Sequence, residues 1–222
     1  MNKESITFRK PRLYLTGTNL FSLNILIGKQ VEIGYKKITI PRVTPLPEET
    51  KLFRDVIIGN GTIVYTGCTI GAKTMIGHHC VIREATTIGA DCRIGHGVVF
   101  EGATEIGNHT AIHSQCHITS YFKIGSYVFM GPMIVTANDP VMGHKRKNIE
   151  VKPKGATIMD GARIGCGCAI MPGITIGREA LVGAGSFVTK DVPDYAIVYG
   201  SPAKVMGTVP EESLLKNNGV EI

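Results

Sequence analysis

The stretch VTANDPVMGHKRKN, residues 135–148, gathers groups suited to chemistry on a small molecule. Asp139 offers a carboxylate that can take a proton, and Asn138 beside it can donate and accept hydrogen bonds. His144, Lys145, Arg146 and Lys147 add positive charge that suits a phosphate. The other titratable candidates are His78, His79, His96, His109, His113 and His117, which with His144 make up the seven histidines. Three imidazoles hold zinc when they converge at about 2 Å. His78 and His96 are 18 residues apart with no third histidine at that spacing, and His113 and His117 are only four apart, so no metal is expected. His96, His109 and His117 read as solvated, outward side chains. His113 and His144 are the candidates for a general base if the acceptor is a hydroxyl.

These residues must be held by something, and the chain shows what. From Ile58 a large apolar residue returns every sixth position: Val64, Ile70, Ile76, Ile82, Ile88, Ile94, Phe100, Ile106, Ile112, Ile118, Ile124 and Met130. The series resumes at Ile158, Ile164, Ile170, Ile176, Val182 and Val188. A glycine usually follows, as in Gly59, Gly77, Gly95, Gly125, Gly165 and Gly183, which predicts a corner with backbone angles that other residues avoid. A period of six fits neither an α-helix nor a long alternating strand, but it fits short strands joined by tight corners. Two positions before each large residue stands a mostly small one, among them Thr62, Cys68, Thr74, Cys80, Cys92, Cys116, Ala162 and Cys168. Alternation in a strand points both inward, giving a narrow prism. Five of the six cysteines therefore read as small core residues, with Cys166 the exception.

The series is expected to break after Met130, where a polar, basic insertion leaves the wall as a loop over 137–151. Residues 1–54 follow the period poorly and read as an irregular capping segment with a first coil at Ile27-Gly28 and Ile33-Gly34, joined on by the proline-rich PRVTPLPEE. The regular prism spans 55–207, and 208–222 forms a second cap, with a short helix over Pro210 to Lys216. The 24 basic against 18 acidic residues favour anionic partners. The absence of tryptophan and the 6% aromatic content argue against nucleic acid. No run is apolar enough to span a membrane and the start lacks a secretory pattern, so the expected location is cytoplasmic.

The repeat resembles that of the left-handed parallel β-helix acyltransferases, over about residues 55 to 207. The resemblance implies an all-β fold of three sides, 18 residues per coil and left-handed winding, a hand that is rare among parallel sheets. IGNHTAIHSQCHITSYFKIGSYVFMGP, the segment from Val151 to Gly207, and GHHCVIRE at 77–84 are similar to the nucleotide-sugar N-acetyltransferase branch. In the galactoside and maltose branch the loop reads Thr-Ala-x-His-Pro and its histidine is the base; here the loop reads Thr136-Ala137-Asn138-Asp139-Pro140 with no histidine, which favours an amine over a hydroxyl acceptor. The resemblance implies that Asn138 contacts the acceptor, with Asp139 as alternative base and His113 near the sugar. It also implies acetyl-CoA as co-substrate, in a groove between subunits of a homotrimer, against Gly165, Cys166, Gly183, Ala184, Thr189, Lys190 and Lys204. Stacked strands lie about 4.8 Å apart, so Arg83 falls roughly 15 Å below Asn138. Arg83, with His78 or His79, is a candidate contact for a nucleotide diphosphate, and an ion pair of Arg83 with Glu84 stands as the alternative. Two other readings stay open: O-acetylation of a sugar or antibiotic, and a metal enzyme resembling the γ-class carbonic anhydrases or a non-catalytic scaffold.

Overall fold

The computed structural model describes residues 5–8, 13–15, 19–20, 24–35 and 49–220. Short parallel strands stack into three sheets that form the sides of a solenoid. The first face starts at Ile25–Ile27 and runs through Ile57–Ile58, Met75–Ile76, Arg93–Ile94, Ala111–Ile112, Phe129–Met130, Arg163–Ile164 and Leu181–Val182 to Ala196–Gly200. The second starts at Val31–Tyr35 and includes Ile63–Tyr65, Val81–Ile82, Val99–Phe100, His117–Ile118, Val135–Thr136, Ala169–Ile170 and Phe187–Val188. The third starts at Thr50–Phe53 and includes Thr87–Ile88, Glu105–Ile106, Lys123–Ile124, Thr157–Ile158 and Thr175–Ile176. Within 51–135 and again within 157–188, partners along a face differ by 18 in number, as Met75 and Arg93 do. The expected all-β solenoid is what the chain builds.

The period has a simple cause. Every large residue of the two series, Ile58 to Met130 and Ile158 to Val188, is at most 4% exposed. The small positions are equally buried and carry the polar part of the core. Thr62, Thr74 and Thr110 each donate Oγ1–H to the carbonyl of a glycine fifteen residues on, at 2.7 to 2.8 Å. Cys80, Cys92, Cys116 and Cys168 donate S–H to the equivalent carbonyl at 3.1 to 3.2 Å. A threonine or cysteine here therefore fills the volume and satisfies a corner carbonyl that no strand reaches.

The glycines require a correction. Gly59, Gly77 and Gly95 do not adopt left-handed angles; those fall two residues later, at Gly61, His79, Gly97, His109, Gln115 and their equivalents. What excludes a side chain at the repeat glycine is the coil stacked beside it. A Cβ on Gly77 would lie 2.7 Å from the carbonyl carbon of Gly95, and one on Gly59 would lie 2.6 Å from that of Gly77. At several corners a polar residue next to the stacking contact caps an amide of the neighbouring coil. Lys29 N–H donates to Asn60 Oδ1, Asn60 N–H to His78 Nδ1, His78 N–H to His96 Nδ1 and His96 N–H to Ser114 Oγ, at 2.7 to 3.0 Å.

The break also sits later than expected. Thr136 occupies the large inward position after Met130, pairing with Ile170. Its hydroxyl bonds with Thr119 at 3.0 Å and donates to the His117 carbonyl at 3.2 Å, so a polar residue keeps a place that a search for apolar residues passes over. Thr136 and Ile158 then sit on successive faces 22 residues apart rather than six, and the surplus forms the loop.

Strands Ser5–Phe8, Leu13–Leu15 and Asn19–Leu20 pair antiparallel with the first described strand of the third, second and first faces. The connection PRVTPLPEE lies, but for its last residue, outside the described residues. At the other end Ala203–Thr208 turns back antiparallel on Ala196–Gly200. The expected helix over Pro210 to Lys216 is instead two 3₁₀ turns, Glu211–Ser213 and Leu215–Asn218, separated by Leu214 in an extended conformation. Buried Leu214 and the carboxylate of Glu179, which accepts the Leu215 N–H at 3.1 Å, fasten this segment to the corner between the third and first faces. No helix among the described residues is long and apolar enough to cross a membrane.

Candidate functional site

The loop leaves the corner between the second and third faces. Asn138 Nδ2 donates to the Ser120 carbonyl one coil below at 3.4 Å, and its own carbonyl accepts the Lys154 N–H at 2.7 Å, which ties the two ends of the loop together. Asp139 serves the loop itself. Oδ1 accepts the N–H groups of Val141 and Met142 at 2.9 Å, and Oδ2 accepts that of Gly143 at 3.2 Å. Gly143 is buried against Val151 and Ile149, leaving no room for a side chain. His144, Lys145, Arg146 and Lys147 are exposed.

The remaining candidates are distributed over different corners. Arg83 and Glu84 follow the second-face strand Val81–Ile82 and so share the corner of Asn138, three coils away, as the register requires. They form a two-point ion pair, Nη2–Oε1 2.7 Å and Nε–Oε2 3.1 Å, with Glu84 buried. The guanidinium also lies 5.9 Å from the ring centre of Tyr65, which packs edge-on against Tyr35. His78 and His79 belong to the other end of that strand, at the corner between the first and second faces, so one chain does not bring them to Arg83. His78 is stacked on His96 at 5.0 Å as part of the corner ladder. His113 lies at that same corner, beside Phe129 with ring centres 5.0 Å apart, and is likewise across the second face from Asn138.

The residues expected to hold the co-substrate frame the second face. Gly165, Cys166, Gly183 and Ala184 form its leading corner, with Lys204 close by on the final hairpin opposite Tyr199. Thr189 and Lys190 follow Phe187–Val188 at its trailing corner. A Cβ on Gly167 or Gly185, both in left-handed conformation, would meet nothing within 4 Å, so this corner keeps a low, open profile. Between the corners the outward side chains Val135, Ala169 and Phe187 make an apolar strip. Cys166 is exposed, whereas the other five thiols are buried. Burial pushes those five upward, Cys68 to about 12, while hydrogen bonds from neighbouring groups pull the other way.

Among the polar groups near the loop, Glu101 and Ser120 were not singled out from sequence, and His117 was read as a solvated, outward side chain. Glu101, His117 and Ser120 lie on the coils directly beneath it: His117 Nε2 and Glu101 Oε1 are 2.9 Å apart, and Ser120 Oγ donates to the Glu101 carbonyl at 3.0 Å. Placing Glu101 and His117 in the six-residue frame puts them on adjacent coils, which was the available signal. His117 lies within a second-face strand and not at a corner. On the third face a shallow trough of about 810 Å³ is lined by Tyr121, Glu105, Lys123, Thr157 and Asp160 among others. Among the described residues no group of three or more His, Cys, Asp or Glu side chains is placed to hold a metal ion.

Residues 67–102, 85–120 and 155–190 match the bacterial transferase hexapeptide (six repeats). These matches take in residues 67–120 and 155–190, less than half of the chain. The chain is 54% identical over 56 residues to dTDP-3-amino-3,6-dideoxy-α-D-galactopyranose 3-N-acetyltransferase of Aneurinibacillus thermoaerophilus, covering 25% of the chain and 29% of that relative. It is 37% identical over 84 residues to galactoside O-acetyltransferase of Lactococcus lactis, covering 37% of the chain and 41% of that relative. The matched part thus spans less than half the length of either. A solved galactoside acetyltransferase in complex with coenzyme A superposes with a TM-score of 0.52 at 28% identity, over 60% of the chain and 68% of the other.

Proposed function

We propose that the chain is an acetyl-CoA-dependent N-acetyltransferase acting on the amine of a nucleotide-linked amino sugar, and that it works as a homotrimer. The observation that carries this reading is the loop root: Asp139, in the place of the histidine base of the galactoside and maltose branch, spends its carboxylate on the N–H groups of Val141, Met142 and Gly143, and Asn138 beside it is anchored to Ser120. The relative from Aneurinibacillus, whose name states transfer to a 3-amino sugar, supports the acceptor class. The galactoside acetyltransferase solved with coenzyme A supports the co-substrate. The second face, with its apolar strip and the basic Lys190 and Lys204 at its edges, suits a pantetheine arm ending in phosphates.

In this reading the amine attacks the thioester carbonyl, a backbone N–H of a neighbouring coil stabilises the oxyanion, and the thiolate leaves. Arg83, with Glu84 fixing its guanidinium, faces the diphosphate three coils below the loop, and Gly165, Cys166, Gly183, Ala184, Thr189, Lys190 and Lys204 hold the co-substrate. His78, His79 and His113, at the opposite corner, reach the acceptor from a neighbouring copy. Asp139 shapes the loop that presents Asn138. Residues 1–54 and 208–222 serve as caps to a catalytic prism spanning 55–207. The test is thiol release from acetyl-CoA against a panel of nucleotide-linked amino sugars and their hydroxyl counterparts. Release with amino sugars alone is expected, and release with hydroxyl sugars alone overturns the reading.

A second reading, O-acetylation of a sugar, is favoured by the similarity to the galactoside O-acetyltransferases of Lactococcus lactis and Escherichia coli. It requires a histidine base, and exposed His144 in the loop and His113 from a neighbouring copy are the candidates named by sequence.

A further inference from the structure

We infer that His117, oriented by Glu101, accepts the proton of the acceptor during acyl transfer, an inference that rests on the acetyltransferase reading but not on the choice of acceptor. The hydrogen bond between His117 Nε2 and Glu101 Oε1, 2.9 Å long, fixes the imidazole. An ionised carboxylate can only accept, so Nε2 carries the hydrogen and Nδ1 presents its lone pair. A carboxylate that holds an imidazole in the basic tautomer is the arrangement general-base catalysis requires. Both side chains are accessible, 45% exposed for His117 and 36% for Glu101.

Position decides between this pair and the other carboxylate–imidazole pair among the described residues. His109 Nδ1 and Asp91 are also 2.9 Å apart, but they lie at the corner between the third and first faces, with His109 stacked on Tyr127 at 4.7 Å. His117 sits on the second face, directly below Val135 and at the foot of the apolar strip that continues through Ala169 to Phe187. It is also joined to the loop root. Thr136 donates to the His117 carbonyl, Ser120 Oγ donates to the Glu101 carbonyl, and Asn138 Nδ2 donates to the Ser120 carbonyl. One rigid coil edge thus carries the residue assigned to the acceptor and the group assigned to its proton. His113 and His144 are not needed.

The step balances as follows. The acceptor nitrogen forms the N–C bond to the acetyl carbon as its proton passes to His117 Nδ1. The C–S bond breaks, and the departing thiolate takes that proton back from the imidazolium to leave as free thiol.

The experiment measures thiol release by wild type, His117→Ala, His117→Gln and Glu101→Gln on whichever acceptor the wild-type protein turns over. If only hydroxyl sugars react, the amino-sugar reading falls while the same variants still decide the role of His117. Both His117 variants are expected to lose about 10²–10⁴-fold in kcat with the KM for acetyl-CoA unchanged, the usual range for a positioned base. Glu101→Gln is expected to lose roughly tenfold, and added imidazole to restore part of the His117→Ala rate. His117→Gln, which keeps a hydrogen bond to Glu101 and so preserves the wall, guards against mere unfolding. Wild-type kcat in His117→Gln, or a loss in His117→Ala that imidazole leaves untouched while His117→Gln stays active, would overturn the inference.

Discussion

Asp139 and Asn138 are neighbours of similar chemistry, yet their surroundings give them different work. Asp139 accepts three backbone N–H groups from the loop it begins, whereas the Asn138 side chain makes one long bond to Ser120. Asn138→Ala is expected to lower kcat/KM for the acceptor about 3- to 10-fold, the worth of one hydrogen bond, with thermal stability unchanged. Asp139→Ala is expected to act through the loop, raising its cleavage rate by a protease added under native conditions. The thiols divide as sharply. Exposed Cys166 should react with iodoacetamide at pH 8 while buried Cys68, whose pKa is pushed up to about 12, stays unmodified until the protein unfolds, which mass mapping of the alkylated peptides checks. A thiol raised in the folded state gives stability that is complete below its ordinary value of 9.0 and is lost as pH climbs towards the folded value. Urea midpoints should therefore hold steady from pH 7 to about 9 and fall above it, with a shallower fall in Cys68→Thr.

At the scale of the repeating element, the six-residue unit divides its labour by position. The large residue fills the axis, the small one two places earlier bonds the next coil where it is threonine or cysteine, the glycine allows coils to stack, and the residue after it caps a corner amide where it is polar. Gly77→Ala meets backbone, not a movable side chain, and should cost roughly 1–3 kcal/mol in denaturant unfolding, as overpacking does. His96→Ala should cost less than about 1 kcal/mol, because the His78 N–H it releases is at an exposed corner where water replaces the ring. The period was plain in the sequence because every unit repeats the same burial. The reason for the glycine was not, because contact along the axis joins residues 18 apart and leaves no local mark.

At the scale of the molecule, exposed Phe129, Met133, Val135, Phe187, Tyr199, Val205 and Met206 concentrate on the first and second faces of the C-terminal half. An apolar surface of this kind suits a neighbouring copy. The expected mass in sedimentation equilibrium is that of three chains, and Met133→Glu is expected to lower it and the transfer rate together. Within one chain His113 and the loop lie on opposite sides of the second face. The reading of Arg83 divides at this scale too: sequence placed it three coils from the loop and offered Glu84 as its ion-pair partner, whereas the burial of Glu84 and the nearby Tyr65 emerged only once the coil was closed.

Periodicity in the sequence was enough to determine the all-β solenoid, the inward residues, the core role of five cysteines and the presence of one long insertion, because each follows from which side chains avoid water along a repeating path. Tertiary structure alone decided that Thr136 continues the wall, that His78 and Arg83 belong to different corners, that Asp139 serves its own loop, and that Glu101 meets His117. Those are relations between coils, set by the stacking of distant segments and by hydrogen bonds whose partners are far apart in the chain.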